Sequence, residues 1–223
     1  MKDILKAAEA YVTAIMPRHD ASHDLWHVRR VVGLAGKLQE AEGGDREIIL
    51  LAAWLHDLAD PKLHDGDEDS ARQAIIDFLA GEGYPAVKIE RVMDIIDHMS
   101  FRHSLENRAR RPSLEEQIVS DADKLDAMGA IGIARTFHFG GRKNNPVYDP
   151  SVPLHEPPDA KKYKRYNRPT IHHFYDKLLR LKDMLYTPTA RRWGRQRHKM
   201  MEAFLRQFFD EWQQSLGDAP ERM

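Results

Sequence analysis

The stretch Leu51–Asp60, "LAAWLHDLAD", is apolar for five residues and then sets His56 beside Asp57. An imidazole next to a carboxylate can make a structural hydrogen bond, or it can offer nitrogen and oxygen to a cation. The dipeptide alone decides little. The chain has four, at His19-Asp20, His23-Asp24, His56-Asp57 and His64-Asp65, where about one is expected from twelve histidines. Setting singles out the pair at 56–57. His56 follows Ala52 and Ala53 by one helical turn, and Asp57 follows Ala53 and Trp54, so both emerge among apolar neighbours. A carboxylate in such surroundings is costly unless it is paired or bound to a metal.

Two other stretches offer partners. In "SHDLWHVRRVV", His23 and His27 stand four apart, and His27 borders the apolar stripe of Leu25, Val28, Val31 and Val32. In "DADKLDAMGAIGIAR", three aspartates fall within six residues, just before a run of small residues. Gly129 and Gly132 each cost about 1 kcal/mol in a helix, a cost that close approach of another helix would explain. Asp123 shares a face with Ala127 and Ala130 and would be drawn into that contact. Each residue has a plainer reading too: His27 packed against the core, Asp123 solvated, His56 and Asp57 bonded to each other. Taken together, they make two imidazoles and two carboxylates from three helices. Such a set suits one borderline or hard divalent ion, Mn, Mg, Co, Ni, Fe or Zn, with coordination positions left for water.

The elements that must position these groups are helical throughout. Apolar periodicity predicts helices from Ile4 to the breaker Pro17, from Leu25 to Gly43-Gly44, and over 45–59, the last apolar almost all round and hence buried. Further helices are expected over 68–80, from Pro85 to about Met99, and from the capping box Ser113/Glu116 to about Arg135. Residues 140–169, rich in Gly, Pro, Asn and Tyr, read as a long loop. A seventh helix runs from Thr170 to about Tyr186, and a long last one from Thr187-Pro188 to about Leu216. Helical bundles whose facing side chains converge on a metal are an established solution.

Composition bounds the rest. A chain of 223 residues, 42% hydrophobic, supports one substantial core or two small ones. No apolar run is long enough to span a bilayer, and the first residues lack a signal-peptide core, so a cytoplasmic location is the expectation. Zero cysteines exclude disulfides and thiolate-bound zinc. The net charge of −1 gives no whole-molecule attraction to nucleic acid. Charge is nonetheless uneven: residues 161–200 hold 13 Lys and Arg against Asp176 and Asp183 alone. That stretch is either a solvated basic face or a place for anions.

The segments "SHDLWHVRRV", "AAWLHDLAD", "SDADKLDAMGAIGIARTF" and "HHFYDKLLRLKDM" resemble the HD-domain superfamily, and within it the small stand-alone bacterial HD-domain metal-dependent phosphohydrolases, over about residues 20–210. The resemblance implies an all-α HD-domain helical bundle with a C-terminal helical extension. The expected organisation is one domain over 1–223, with a metal-binding core at about 20–136 and a loop and C-terminal helices at about 137–216. It makes His27, His56, Asp57 and Asp123 the ligands of one divalent metal ion, with Lys124 after the last ligand and Asp60 where relatives carry an acidic catalytic residue. Alarmone hydrolases of the superfamily carry a Glu-Asp pair that is absent here, since Pro61 follows Asp60.

The implied activity is metal-dependent hydrolysis of a phosphate ester or anhydride of a small phosphorylated molecule, a nucleotide foremost. Asp60 would orient the attacking water or take its proton, and Lys124 would offset phosphoryl charge. Arg135, Arg142 and Lys143 around Gly140-Gly141, with His173, Lys177 and Arg191 from the basic stretch, are substrate-binding candidates. Tyr163 and Tyr166 could stack on a base, and His98 or His103 could serve substrate or a second metal. The competing expectation is a non-catalytic metal- and nucleotide-binding regulatory module.

Overall fold

The computed structural model describes residues 3–16, 24–59, 68–99, 111–154 and 168–216. Its elements are α1 (Ile4–Ile15), α2 (Leu25–Glu42), α3 (Arg46–Leu55), a 3-10 turn (His56–Ala59), α4 (Glu68–Gly81), α5 (Ala86–His98), α6 (Leu114–Asp126), α7 (Gly129–Arg142), α8 (His172–Asp176), a second 3-10 turn (Leu178–Met184) and α9 (Pro188–Leu216). No strand occurs among the described residues, so the architecture is all-α. Contacts divide it into two compact units: Met1–Asp123 with Tyr186–Ala190, and Lys124–Leu185 with Arg191–Met223.

The first unit is organised around α3. Every residue from Ile48 to Leu55 is buried, as the nearly all-round apolar sequence requires, and α3 packs against α1, α2 and α5. Burial of each such Leu or Ile side chain contributes about 1.5–3 kcal/mol. Asp45 starts the helix, its Oδ1 accepting the Ile48 amide at 3.3 Å. The α-helix ends at Leu55, and the chain tightens into 3-10 geometry at His56–Ala59 rather than continuing α-helical to 59. Ser113 Oγ accepts the Glu116 amide at 3.1 Å, as the capping box predicts for the start of α6. Buried Asp121 on α6 accepts the amides of Tyr186 and Thr187 and the Thr187 hydroxyl, each at 2.8 Å. Thr187 then accepts the Ala190 amide and opens α9, with Pro188 in the first helical position.

Two sequence expectations need correction. The helix expected from Ser113 to Arg135 is two helices, α6 and α7, broken at Ala127–Met128. Gly129 begins α7 at φ +71, a conformation open to glycine, and a Cβ on Gly132 would lie 2.2 Å from the Ala127 carbonyl oxygen. The glycines are thus required by the break as well as by the Arg197 side chain approaching Gly129. The helix expected over Thr170–Tyr186 is likewise short α8 followed by a 3-10 turn. Lys177, at φ −137, leaves helical geometry between them, and buried Leu178 and Leu181 then share one face at the three-residue repeat. An aromatic core of Phe137, Phe174 and Phe204 adjoins a second cluster in which Tyr148 meets Phe208, Phe209 and Trp212.

Candidate metal centre

The first unit brings three of the four expected ligands, His27, His56 and Asp57, into one cluster, and sets Asp123 beside His27. Asp24 caps α2, its Oδ1 accepting the His27 amide at 2.6 Å, and this fixes His27 in the first turn with its ring buried. His56 and Asp57 come from the end of α3, where the switch to 3-10 geometry sets their directions. Asp123 comes from α6. His27 Nε2 lies 3.4 Å from both Asp57 Oδ2 and Asp123 Oδ1, and His56 Nε2 lies 3.3 Å from Asp57 Oδ1. One ligand atom from each of His27, His56 and Asp57 falls within 4.8 Å of the others. The two imidazoles meet edge-on, with ring centroids 5.5 Å apart.

These separations are longer than a well-formed hydrogen bond. They match the roughly 3.0–3.5 Å between neighbouring N and O ligands that each sit about 2.0–2.2 Å from a central ion. The proton inventory agrees. His56 Nδ1 donates to the Ala53 carbonyl at 2.9 Å, so in the neutral ring Nε2 is left as an acceptor. Nε2 is buried and makes no hydrogen bond, yet it faces a carboxylate oxygen, which is also an acceptor. Two acceptors apposed at 3.3 Å repel unless a cation or a proton lies between them. A backbone carbonyl holding the far nitrogen of a ligating histidine is the usual supporting arrangement in metal sites. The site is graded in exposure: the side chains of His27, His56 and Asp57 are 3, 7 and 11% exposed, against 42% for Asp123. Solvent thus reaches the cluster on the Asp123 side. The donor set fits a divalent metal.

The other expected site residues fall elsewhere or serve other partners. Asp60 lies outside the described residues, as do His103, Tyr163 and Tyr166. His98 closes α5, with Nδ1 donating to the Asp94 carbonyl at 2.7 Å, and is not in the cluster. Lys124 follows Asp123 on α6 and is partly exposed. In the second unit, the Arg135 guanidinium pairs with buried Asp126 at 2.7 Å. Arg142 ends α7, and Lys143 Nζ lies over the Phe139 ring at 5.9 Å. His173 lines a cavity of about 160 Å³ with Thr136, Asn145 and Thr170, and Lys177 follows α8. Sequence reasoning did not assign Asp24 its capping role or Ala53 its carbonyl contact, although helix spacing of three residues carries both signals.

A family model for the HD domain matches residues 25–128, a span that includes His27, His56, Asp57 and Asp123. A crystal structure of an HD-superfamily hydrolase from Bacillus thuringiensis is 37% identical, covering 94% of this chain and 97% of its own, with a TM-score of 0.73.

The chain belongs to the HD-domain superfamily.

A Lactobacillus plantarum protein of known structure is 34% identical, covering 95% of this chain and 98% of its own, with a TM-score of 0.81. Bacillus subtilis YpgQ, solved in complex with ADP, is 32% identical, covering 93% of this chain and 97% of its own, with a TM-score of 0.72. Hydrolases of the superfamily and the His/Asp cluster together fit a metal-dependent hydrolase. No described helix is long and apolar enough to cross a membrane.

Proposed function

We propose that this protein is a divalent-metal-dependent phosphohydrolase that cleaves a phosphate ester or anhydride of a small molecule, foremost a nucleotide. The observation that carries the metal is the apposition of His56 Nε2 and Asp57 Oδ1, two acceptors 3.3 Å apart. The ADP bound to YpgQ supports a phosphorylated substrate. His27, His56, Asp57 and Asp123 would hold a divalent ion, which when bound would lower the pKa of a water molecule and polarise a phosphoryl oxygen.

The protein's own groups do the rest. His27 and His56 each turn Nε2 toward the Asp57 carboxylate, where they would hold the ion. Asp57 is fixed by burial, whereas Asp123 meets solvent and so borders the place where substrate and water arrive. Asp60 takes the proton that the attacking water loses as the new P–O bond forms and the bond to the leaving oxygen breaks. Lys124, next to Asp123, offsets charge on the phosphoryl group with its three donors.

A panel of nucleotides and phosphoesters, assayed with Mn²⁺ and Co²⁺ for both phosphate and pyrophosphate release, tests the reading. Metal-dependent turnover of at least one member is expected. Asp57→Ala and Asp123→Ala should lose both metal and turnover, and Lys124→Ala should keep the metal and lose turnover. Metal bound at full occupancy with no release from any member would instead leave a binding module.

A further inference from the structure

A second concentration of chemistry lies wholly within the second unit. An open cleft of about 570 Å³ is bordered by the 3-10 turn at Leu178–Met184 and the early turns of α9. Along it, Arg191, Arg195 and Lys199 follow one another at four-residue spacing, which places three cations on one ridge, one turn apart. Like charges so stacked repel, and the local acids do not neutralise them: Arg195 and Lys199 make no hydrogen bond or ion pair among the described residues. Arg191 is held in place, its Nε donating to the Leu185 carbonyl at 2.8 Å while its terminal nitrogens remain to donate.

The cleft also has a built floor. The His198 side chain is only 8% exposed, and its Nε2 sits 3.0 Å from Lys182 Nζ and 3.2 Å from Glu202 Oε1. Its Nδ1 is buried without a hydrogen-bond partner. The buried imidazole thereby fixes a fourth cation, Lys182, against the cleft.

We propose that this cleft binds a short chain of linked phosphates, free or carried on a nucleotide. The cation ridge is about 12 Å long, from eight residues at 1.5 Å rise. It ends at Glu202, and Asp183 stands on the 3-10 turn, so the row accepts an anion of limited length and repels a continuous polyanion. Planar guanidinium forks at 191 and 195 match phosphate oxygens two at a time. Because no residue of the metal cluster takes part, the site operates without the metal.

Calorimetric titration of inorganic tripolyphosphate into the full chain, freed of metal by chelation and dialysis, tests the proposal. Asp57→Asn protein is titrated in parallel, so that failure of the metal reading leaves this test intact. One saturable site per chain is expected in both. Arg195→Gln and Lys199→Gln should each weaken binding about tenfold or more. Arg192→Gln, exposed on the same helix but off the cleft, should change it less than twofold. All three positions are on the surface, and thermal melting checks that each variant folds. ATP binding as tightly as tripolyphosphate assigns recognition to the phosphates alone; ATP binding tenfold tighter assigns the cleft to a nucleotide. Absence of saturable binding, equal weakening by Arg192→Gln, or displacement of tripolyphosphate by a lower concentration of a single-stranded oligonucleotide would each overturn it.

Discussion

The Nδ1 of His56 donates to the carbonyl of Ala53, one turn behind it, at 2.9 Å, and this single bond dictates what the far side of the ring presents to the cluster. With the proton on Nδ1, Nε2 carries a lone pair that faces the Asp57 carboxylate at 3.3 Å. A cation there should act as a stabilising ligand of the folded chain. At about a hundred times its dissociation constant, one Mn²⁺ adds about 2.7 kcal/mol, which raises Tm by about 5–10 °C for a chain of this size. Differential scanning fluorimetry with and without Mn²⁺ measures it. His56→Gln should remove the rise, and an undiminished rise in that variant would move the ion elsewhere.

Asp121, two residues before Asp123, is expected to behave quite differently. It accepts three hydrogen bonds from Tyr186 and Thr187 and thereby anchors the start of α9. Asp121→Asn turns an amide NH₂ toward backbone N–H donors and should cost about 2–4 kcal/mol in urea unfolding. Metal stoichiometry should stay unchanged. A variant that keeps its stability but loses its metal would make Asp121 a ligand.

Two glycines should respond in opposite directions. A Cβ at Gly132 would stand 2.2 Å from the Ala127 carbonyl oxygen, a clash with backbone that cannot rotate away. Gly132→Ala should therefore destabilise by more than about 2 kcal/mol. Gly33 lies within α2 with nothing within 4 Å of its missing Cβ, and Gly33→Ala should stabilise by about 1 kcal/mol. Thermal denaturation of the pair checks both signs at once.

Acid should destabilise the chain partly through His173. Burial, with a smaller contribution from Lys177, pushes this imidazole down to about 4. Unfolded, a histidine titrates near about 6.5. Between those values the unfolded chain binds more protons than the folded one, so stability falls as pH drops through that window and is regained above it. His173→Gln should lose less of its Tm between pH 6.5 and pH 4.5 than the wild type. His172, also lowered by burial, keeps some slope in the variant. Identical slopes in the two proteins would exclude His173 as a source.

Much of this was legible in the residues themselves. The apolar run that makes Ile48–Leu55 wholly buried is the run that carries His56 and Asp57 to its end, so one pattern announces both core and site. The break between α6 and α7 was not legible. "LDAMGAIGIA" keeps apolar residues on both sides, and what divides it is a positive φ at Gly129 and a backbone approach at Gly132, neither of which leaves a mark on periodicity. The three aspartates of "DADKLD" also look alike in sequence. Their roles separate only through distant or tertiary partners: amides at 186 and 187 for Asp121, His27 for Asp123, and Arg135 for Asp126.

The central claim is that His27, His56, Asp57 and Asp123 hold one catalytic ion, and counting metal tests it most directly. Elemental analysis of protein loaded with Mn²⁺ and desalted should give one ion per chain for the wild type and for Lys124→Ala. The same measurement should give essentially none for His27→Ala, His56→Ala, Asp57→Ala and Asp123→Ala, each of which should also lose at least about a hundredfold in hydrolysis. A full complement of tightly bound metal in folded Asp57→Ala protein would contradict the account.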